Sequence, residues 1–378
     1  MNTEKYDAIV AGAGGMGSAA IYHLARRGIR ACAVERFTIA HDRGSSHGDT
    51  RIIRKAYLEH PGYVPLLHRA YELWGQLQAE STEELFAPVG LLLAGDPETD
   101  AMRGQAASYR EYDLPHETLN AAAVAARYPD FSLPENWDAF YDPLGGLLRV
   151  EDCVRRHAEL ARAHGAVIYE GEVMRSWQSE GTGVVVETER RHLYADRLIL
   201  AAGAWAAPEL RRLGVDARVV RKVQLWYGGR GVERYRHGEF PCFFVADGEN
   251  YFYGFPAQEP WGLKLAEHNI SHDVVGDPLE LKRELVAGDQ TPVLDFLSRF
   301  FPALEPQLNK YAACMYTLTP DEHFVLDIHP ECPAVVLAAG FSGHGFKFAT
   351  VVGEILAELA LDGDTRQPIE FLRLGRFA

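Results

Sequence analysis

The chain has 378 residues, 47% of them hydrophobic, with 38 Lys plus Arg against 53 Asp plus Glu and a formal charge of −15. That length allows one large domain or two ordinary ones around a sizeable core. The acidic balance, with no basic run, argues against a nucleic-acid partner, and an anionic ligand would need cations gathered at its own site. The five cysteines, Cys32, Cys153, Cys242, Cys314 and Cys332, show no metal spacing and read as reduced thiols of a cytoplasmic protein. The opening MNTEKYD has no basic region leading into an apolar one, so no secretory signal is expected. No apolar run reaches the roughly 18 residues of a membrane span.

Tyr6 to Glu35 reads YDAIVAGAGGMGSAAIYHLARRGIRACAVE. A short apolar run suits a buried parallel strand. Gly12, Gly14 and Gly17 follow in GxGxxG spacing, then a helix over Ser18–Arg27 stopped by Gly28, then a second apolar run ending on Glu35. In such a unit Gly12 permits the turn, Gly14 lets backbone approach a pyrophosphate, and Gly17 lets the helix pack on the strand. Glu35, 23 residues after Gly12, stands where a carboxylate meets ribose hydroxyls. A glycine-rich surface turn would leave Glu35 unexplained, so dinucleotide binding is expected. The motif alone does not separate FAD from NAD.

His41 to Thr50 (HDRGSSHGDT) cannot be a core strand. Arg51 and Arg54 follow, three apart, and would share a face on a helical turn. Tyr63–Ala79 has helical periodicity and Val89–Ala94 suits a strand. Asp96–Ala126 reads as helices broken by loops. Cys153–His164 is helical; Val167–Tyr169 and Val184–Thr188 are strands. The run DRLILAAGAWA (196–206) predicts a strand ending at Gly203, where backbone closes on a flat or extended group or simply turns tightly. From Val219 to His268 the composition becomes aromatic and β-branched, which predicts an antiparallel sheet. Asp277–Phe301 reads as helical. Phe324–Ile328 and Ala334–Ala339 are strands leading into a glycine loop (340–345) and an apolar helix over Phe346–Leu361, a second unit able to offer N–H groups to an electron-rich ligand edge.

Six segments, GxGxxG at 12–17, GSSHGDTRIIRKAY (44–57), YFYGFP (251–256), GLKLAEHN (262–269), CMYTLTPDEHFVLDIHP (314–330) and GFSGHGFKF (340–348), carry a resemblance. Through them the chain resembles the glycine-oxidase-like FAD-dependent amine oxidases, within the group of monomeric sarcosine oxidases and N-methyltryptophan oxidases. The resemblance implies an α/β two-domain flavoprotein. Its Rossmann-like FAD-binding domain would comprise 1–84, 146–216 and 320–378, and its antiparallel-sheet substrate domain 85–145 and 217–319. It implies a monomer that oxidises a small secondary amino acid with dioxygen, sarcosine first among them. A larger N-methyl amino acid or a cyclic imino acid is the alternative; a dehydrogenase feeding a carrier, or a silent nucleotide-binding module, are alternatives of other classes.

The same resemblance assigns roles. Cys314 matches the cysteine that bonds covalently to the flavin, although an inert core cysteine is equally compatible with the sequence. Arg54 and Lys347 match the pair that holds the substrate carboxylate, a role suited to an arginine fork and a lysine point charge. His47 and Arg51 match residues lying against the flavin. Val173 and Gly203 match positions beside its nucleotide half, and Gly343 and Gly345 belong to the flavin-edge loop. Lys264 matches a lysine implicated in oxygen activation, where a buried cation favours electron transfer to dioxygen. Tyr253 and His268 match pocket-lining residues that orient the amine or influence its protonation. His344 is expected to serve backbone geometry, and His323 is compatible with a structural role. Two departures stand out: Ser46 replaces the first histidine of the usual GSHHGDT loop, and Ile21 stands where a smaller residue is common.

Overall fold

The structure, a computed structural model, describes residues 3–269 and 273–378; Met1 and Asn2, which open the segment read for a leader, lie outside the described residues. Two eight-stranded sheets and a small three-stranded one make up the fold, with helices packed on the first.

The first sheet is parallel at its centre. Its strands run in the order Val167–Tyr169, Ala31–Val34, Glu4–Ala11, His192–Leu200 and Val335–Ala339. Ala31–Val34, Val335–Ala339 and the ends 8–11 and 198–200 of the two long strands are apolar and buried because both faces are covered there, whereas the edge strand Val167–Tyr169 is partly exposed. The antiparallel pair Met174–Glu180 and Gly183–Thr188 extends one side, and Val325–Ile328 pairs antiparallel with Val335–Ala339. Helices Gly15–Arg26, Val150–Ala163 and Ala349–Asp362 share a core with this sheet, in which Ile21 is fully buried. The helices Gly15–Arg26 and Ala349–Asp362 pack closely one turn away. Gly353 faces Ala19 so closely that an added Cβ would stand 2.5 Å from the Ala19 Cβ and 2.6 Å from its carbonyl carbon.

The second sheet gathers Gln307–Leu318, Arg218–Gly228, Gly262–Glu267, Asn250–Gln258, Cys242–Asp247, Leu91–Gly95, Asp138–Asp142 and Glu117–Asn120. All pairings are antiparallel except Cys242–Asp247 with Leu91–Gly95. Alternation along the strands separates two faces. Leu225, Tyr227, Phe252, Leu263 and Leu265 point into an apolar core with helix Thr291–Phe300. The opposite face carries Lys222 beside Cys314, and Lys264 between Trp226 and Phe255. The third sheet joins Thr50–Ile53, Gly146–Arg149 and Phe86–Ala87.

Four readings of local structure are corrected. Within Asp96–Ala126, Glu117–Asn120 is a strand at the sheet edge between the helices Asp100–Glu111 and Ala121–Arg127. Arg51 lies in a β-strand, not a helical turn, because Thr50–Ile53 pairs with Gly146–Arg149. Asp277–Phe301 is helical only over Thr291–Phe300, apart from a single turn at Pro278–Glu280. The strand before Gly203 stops at Leu200, and Gly203–Ala206 is a 3-10 turn. Met174–Glu180 escaped the sequence reading because its polar, largely exposed residues suit a sheet edge and show no apolar alternation.

Backbone atoms cannot rotate away from a new side chain, so Gly353→Leu should force the helices Gly15–Arg26 and Ala349–Asp362 apart. We expect a loss of about 1–3 kcal/mol, read as a lower urea midpoint at unchanged slope; an unchanged midpoint would show that the helices separate freely.

Candidate active site

The carboxyl ends of the parallel strands converge on one cavity of about 390 Å3. This is where an open α/β sheet offers its loops to a ligand. Gly12, Gly14, Glu35, Gly203, Gly343 and Gly345 all line it, with Arg51 at its far end. Gly12 has φ +90°, and a Cβ there would lie 2.7 Å from the Ala201 carbonyl oxygen. A Cβ on Gly14 would meet only the Ser46 hydroxyl, at 4.0 Å, so its backbone stands open to the cavity. Gly17 does not line the cavity; a Cβ there would collide with the Gly12 carbonyl, which fixes the helix against the strand. Val173 does not line it either: its carbonyl accepts the Glu189 N–H at 3.1 Å, while its neighbours Glu172, Met174 and Arg175 form the wall.

Glu35 accepts N–H groups from Ala13 at 2.8 Å and Phe37 at 2.9 Å, and His41 Nε2 stands 3.2 Å away. Burial pushes its carboxyl up, but His41 and the two amides outweigh burial and hold it below the usual range. Ser46, the departure noted in the sequence, accepts the Gly15 N–H at 3.2 Å at the start of the helix.

A second, smaller cavity of about 60 Å3 adjoins the first, and Arg51, Gly343 and Phe346 line both. Arg54, Lys347, Tyr253 and His268 meet around it, with Glu59, Phe244 and His344. The sequence places these residues on four separate segments. Lys347 Nζ donates to the His344 carbonyl at 2.7 Å and the Tyr57 hydroxyl at 3.3 Å. Burial, then the Arg54 charge, bring its ammonium down to about 7. Burial, then Lys222, bring His268 down to about 3, so its imidazole is neutral near pH 7. Tyr253 is raised by burial. His344 is more than a backbone spacer: its Nδ1 lies 2.5 Å from the Tyr57 hydroxyl and its Nε2 3.0 Å from the Glu322 carbonyl.

Arg54 is already paired. Its Nη2 donates to both Glu59 oxygens, at 3.0 and 2.9 Å, and its Nη1 to the Ala56 carbonyl at 2.6 Å. Burial raises Glu59, but Arg54 outweighs it and takes the carboxyl down to about 2. The sequence reading missed Glu59, although a carboxylate five residues past an arginine thought to bind carboxylates is a signal of this self-pairing.

Three expected site residues stand behind the cavity walls. Lys264 Nζ donates to the carbonyls of Gly48 at 2.5 Å and Thr50 at 2.8 Å, and lies over the Phe255 ring at 4.7 Å. Burial, then Arg51, lower its ammonium well below the ordinary value. Cys314 Sγ lies 3.7 Å from Arg51 Nη2, next to Met315 and Tyr316, which line the large cavity. His47 is buried with an unpartnered Nε2, and burial, then Arg51, bring it down to about 3. Among the described residues there is no cluster placed to hold a metal ion, and no helix is long and apolar enough to cross a membrane.

Known proteins resemble this chain over nearly its whole length. Residues 7–359 match the family described as FAD dependent oxidoreductase. The chain is 40% identical over 367 residues to a monomeric sarcosine oxidase of Streptomyces avermitilis, covering 96% of each. It is 36% identical to an N-methyl-L-tryptophan oxidase of Yersinia pestis, covering 98% of this chain and 99% of the relative. Among solved structures, NikD, an amino acid oxidase of nikkomycin biosynthesis, superposes with a TM-score of 0.85 at 25% identity, covering 98% of each chain.

A simple carboxylate entering the small cavity would meet Lys347 as an acid. A lysine lowered to about 7 is charged below that pH and must take up a proton to serve an anion above it. Binding of methoxyacetate, which has no ionisable amine, should therefore weaken as pH rises above 7, approaching tenfold per unit. Lys347→Met should bind weakly without that slope. Calorimetric titration from pH 6 to 9 measures both, and a flat wild-type profile would remove Lys347 from the anion site.

Proposed function

The chain belongs to the FAD dependent oxidoreductase family, and from that premise we propose that it is a sarcosine oxidase, converting sarcosine, dioxygen and water to glycine, formaldehyde and hydrogen peroxide. One observation carries the reading: Arg54, Lys347, Tyr253 and His268 surround a small cavity that Arg51 and Gly343 join to the large one.

The large cavity suits FAD. Gly14 leaves backbone bare where a pyrophosphate would lie, and Glu35 at one end retains lone pairs for ribose hydroxyls. The buried Trp205 Nε1 has no partner in the same wall. Gly12, Gly14, Glu35 and Gly203 would hold the nucleotide half, with Gly17 fixing the helix behind them and Val173 presenting its neighbours. Arg51, His47, Gly343 and Gly345 would surround the other end, and Cys314 would bond to it through its sulfur, an S–H and a flavin C–H giving way to the C–S bond with two electrons and two protons passing to dioxygen. When bound, FAD supplies the two-electron chemistry, accepting electrons from the substrate carbon and returning them to dioxygen.

The residues do the rest. Arg54 exchanges Glu59 for the substrate carboxylate, and Lys347 adds a second cation to it. The positive charge of Arg51, Arg54 and Lys347 favours loss of the substrate's ammonium proton, which frees the nitrogen lone pair. Tyr253 and neutral His268 face that amine and orient it. Water then hydrolyses the imine product. Burial and Arg51 work against the Lys264 ammonium, and its three hydrogen bonds to the Gly48 and Thr50 carbonyls and the Thr50 hydroxyl work for it; held as a cation, Lys264 stabilises negative charge developing on dioxygen, which favours an oxidase over a dehydrogenase. With Glu59 on Arg54 the space is about 60 Å3, and sarcosine asks less enlargement of it than an indole-bearing N-methyl amino acid does. All five cysteines are free thiols, which supports a reducing compartment, and we take the protein to work as a monomer in the cytoplasm.

A peroxide assay over sarcosine, N-methyltryptophan, proline, pipecolate and glycine should give the highest kcat/KM for sarcosine. Substrate oxidation without peroxide would favour the dehydrogenase, and a preference for N-methyltryptophan would overturn the size argument. Acid precipitation of the yellow protein should leave flavin on the polypeptide, and Cys314→Ala should release it. Colour released wholly from the wild type would remove Cys314 from the cofactor bond.

A further inference from the structure

Glu59 belongs to the segment 55–62, between the strand Thr50–Ile53 and the helix Tyr63–Ala79. For a substrate carboxylate to take Arg54, that segment must let Glu59 go. Its outer side is held. The His60 ring stacks on Phe371, with centroids 4.5 Å apart and planes 16° from parallel. The next glycine lies under the same ring: a Cβ on Gly62 would stand 2.9 Å from Phe371 Cε1. Gly62 N–H closes the turn onto His60 Nδ1 at 3.0 Å, and the Tyr112 hydroxyl donates to the Pro61 carbonyl at 3.0 Å.

Phe371 is itself fixed. Its neighbour Leu372 is fully buried in the main core. Two residues on, Arg373 pairs with Asp327 at 2.9 Å and the Leu374 N–H donates to the same carboxylate at 2.8 Å. Asp327 lies in the strand Val325–Ile328 of the parallel sheet. Tyr57 anchors the inner side of this segment in the core, and on the outer side the stack on Phe371, with an edge contact of His60 on His323 beside it, ties it to the sheet, far along the sequence from Arg54.

We propose that Phe371 is a positioning residue for the substrate site: its stack on His60 latches the 55–62 segment in the state where Glu59 occupies Arg54, and so sets the fraction of enzyme that can accept a carboxylate. This rests on the reading of Arg54 as the carboxylate site. When only a fraction of the protein is competent, apparent affinity falls by that fraction. Loosening the latch therefore tightens apparent binding, and it does so only while Glu59 competes.

The test is a titration of the holoenzyme with methoxyacetate at pH 6.5, followed by the flavin absorbance change, for the wild type, Phe371→Ala, Glu59→Gln and the double variant. Phe371→Ala and Glu59→Gln should each lower the apparent dissociation constant at least threefold. The double variant should gain no more than Glu59→Gln alone, because both act on the same competition. Phe371→Tyr keeps the stack and should bind as the wild type does. Unchanged or weaker binding in Phe371→Ala, with Glu59→Gln tightened, would overturn the latch while leaving Arg54 as the carboxylate site. Gains that add in the double variant would also overturn it, since Phe371 would then act by another route. Failure of the wild type and Glu59→Gln alike to bind would overturn the carboxylate reading itself, and the latch with it.

Discussion

Buried positive charge is the constraint on which the site depends. Arg51, Arg54 and Lys347 line the small cavity and Lys264 stands behind its wall on the Gly48 and Thr50 carbonyls, in a chain whose net charge is −15. A buried cation is tolerable only when its hydrogens find acceptors. Backbone carbonyls serve here: Ser45 and Thr50 for Arg51, Gly48 and Thr50 for Lys264, Ala56 for Arg54, His344 for Lys347. A carbonyl already used in a helix or sheet ladder has less to offer. The loops around 44–49 and 340–345 are accordingly irregular, and Gly48, Asp49, Ser342 and Gly343 adopt positive φ. The Gly48 carbonyl takes the Thr50 N–H as well as Lys264, and Thr50 serves from a strand end, so the cations are held where loop and strand meet.

The two sheets divide the labour by their geometry. A parallel sheet ends its strands on one side, so Ala11, Val34, Leu200 and Ala339 deliver Gly12, Glu35, Gly203 and Gly340 to a common cavity. An antiparallel sheet brings distant residues side by side on one face. Lys264 stands across from Trp226 and Phe255, and Cys314 across from Lys222, while the other face is spent on the apolar core. Arg51, on the small third sheet, reaches Cys314 from a different part of the chain.

Much of this was legible in the sequence for a physical reason. The GxGxxG turn is a local event: glycine conformation, helix start and carboxylate fall within one βαβ unit, and Gly12 and Glu35 stand where that pattern puts them. The aromatic run from Val219 to His268 likewise announced strands. What escaped depended on tertiary placement. The helical reading of Arg51 failed because Thr50–Ile53 finds its partner nearly a hundred residues away, in Gly146–Arg149. Val173 could be located only to within a residue of the wall, since a one-residue shift along an irregular segment changes which group faces the cavity. Glu59 was missed because spacing alone does not tell a surface glutamate from one folded back on its own arginine.

That last pairing changes how affinity at the site is understood. A buried guanidinium left without a partner costs about 3–5 kcal/mol. The protein avoids that cost by supplying Glu59, so a carboxylate arriving at Arg54 replaces an ion pair and does not create one. The gain is the difference between two similar bonds, reduced by whatever is needed to move the loop. Strong charge at the site is therefore compatible with modest affinity for a small amino acid. On the proposed function, discrimination comes from contacts that Glu59 cannot imitate: Lys347, Tyr253, His268 and Phe244 on the wall of the small cavity. Under that proposal Arg54 orients the carboxylate end, and the amine end decides which molecule stays.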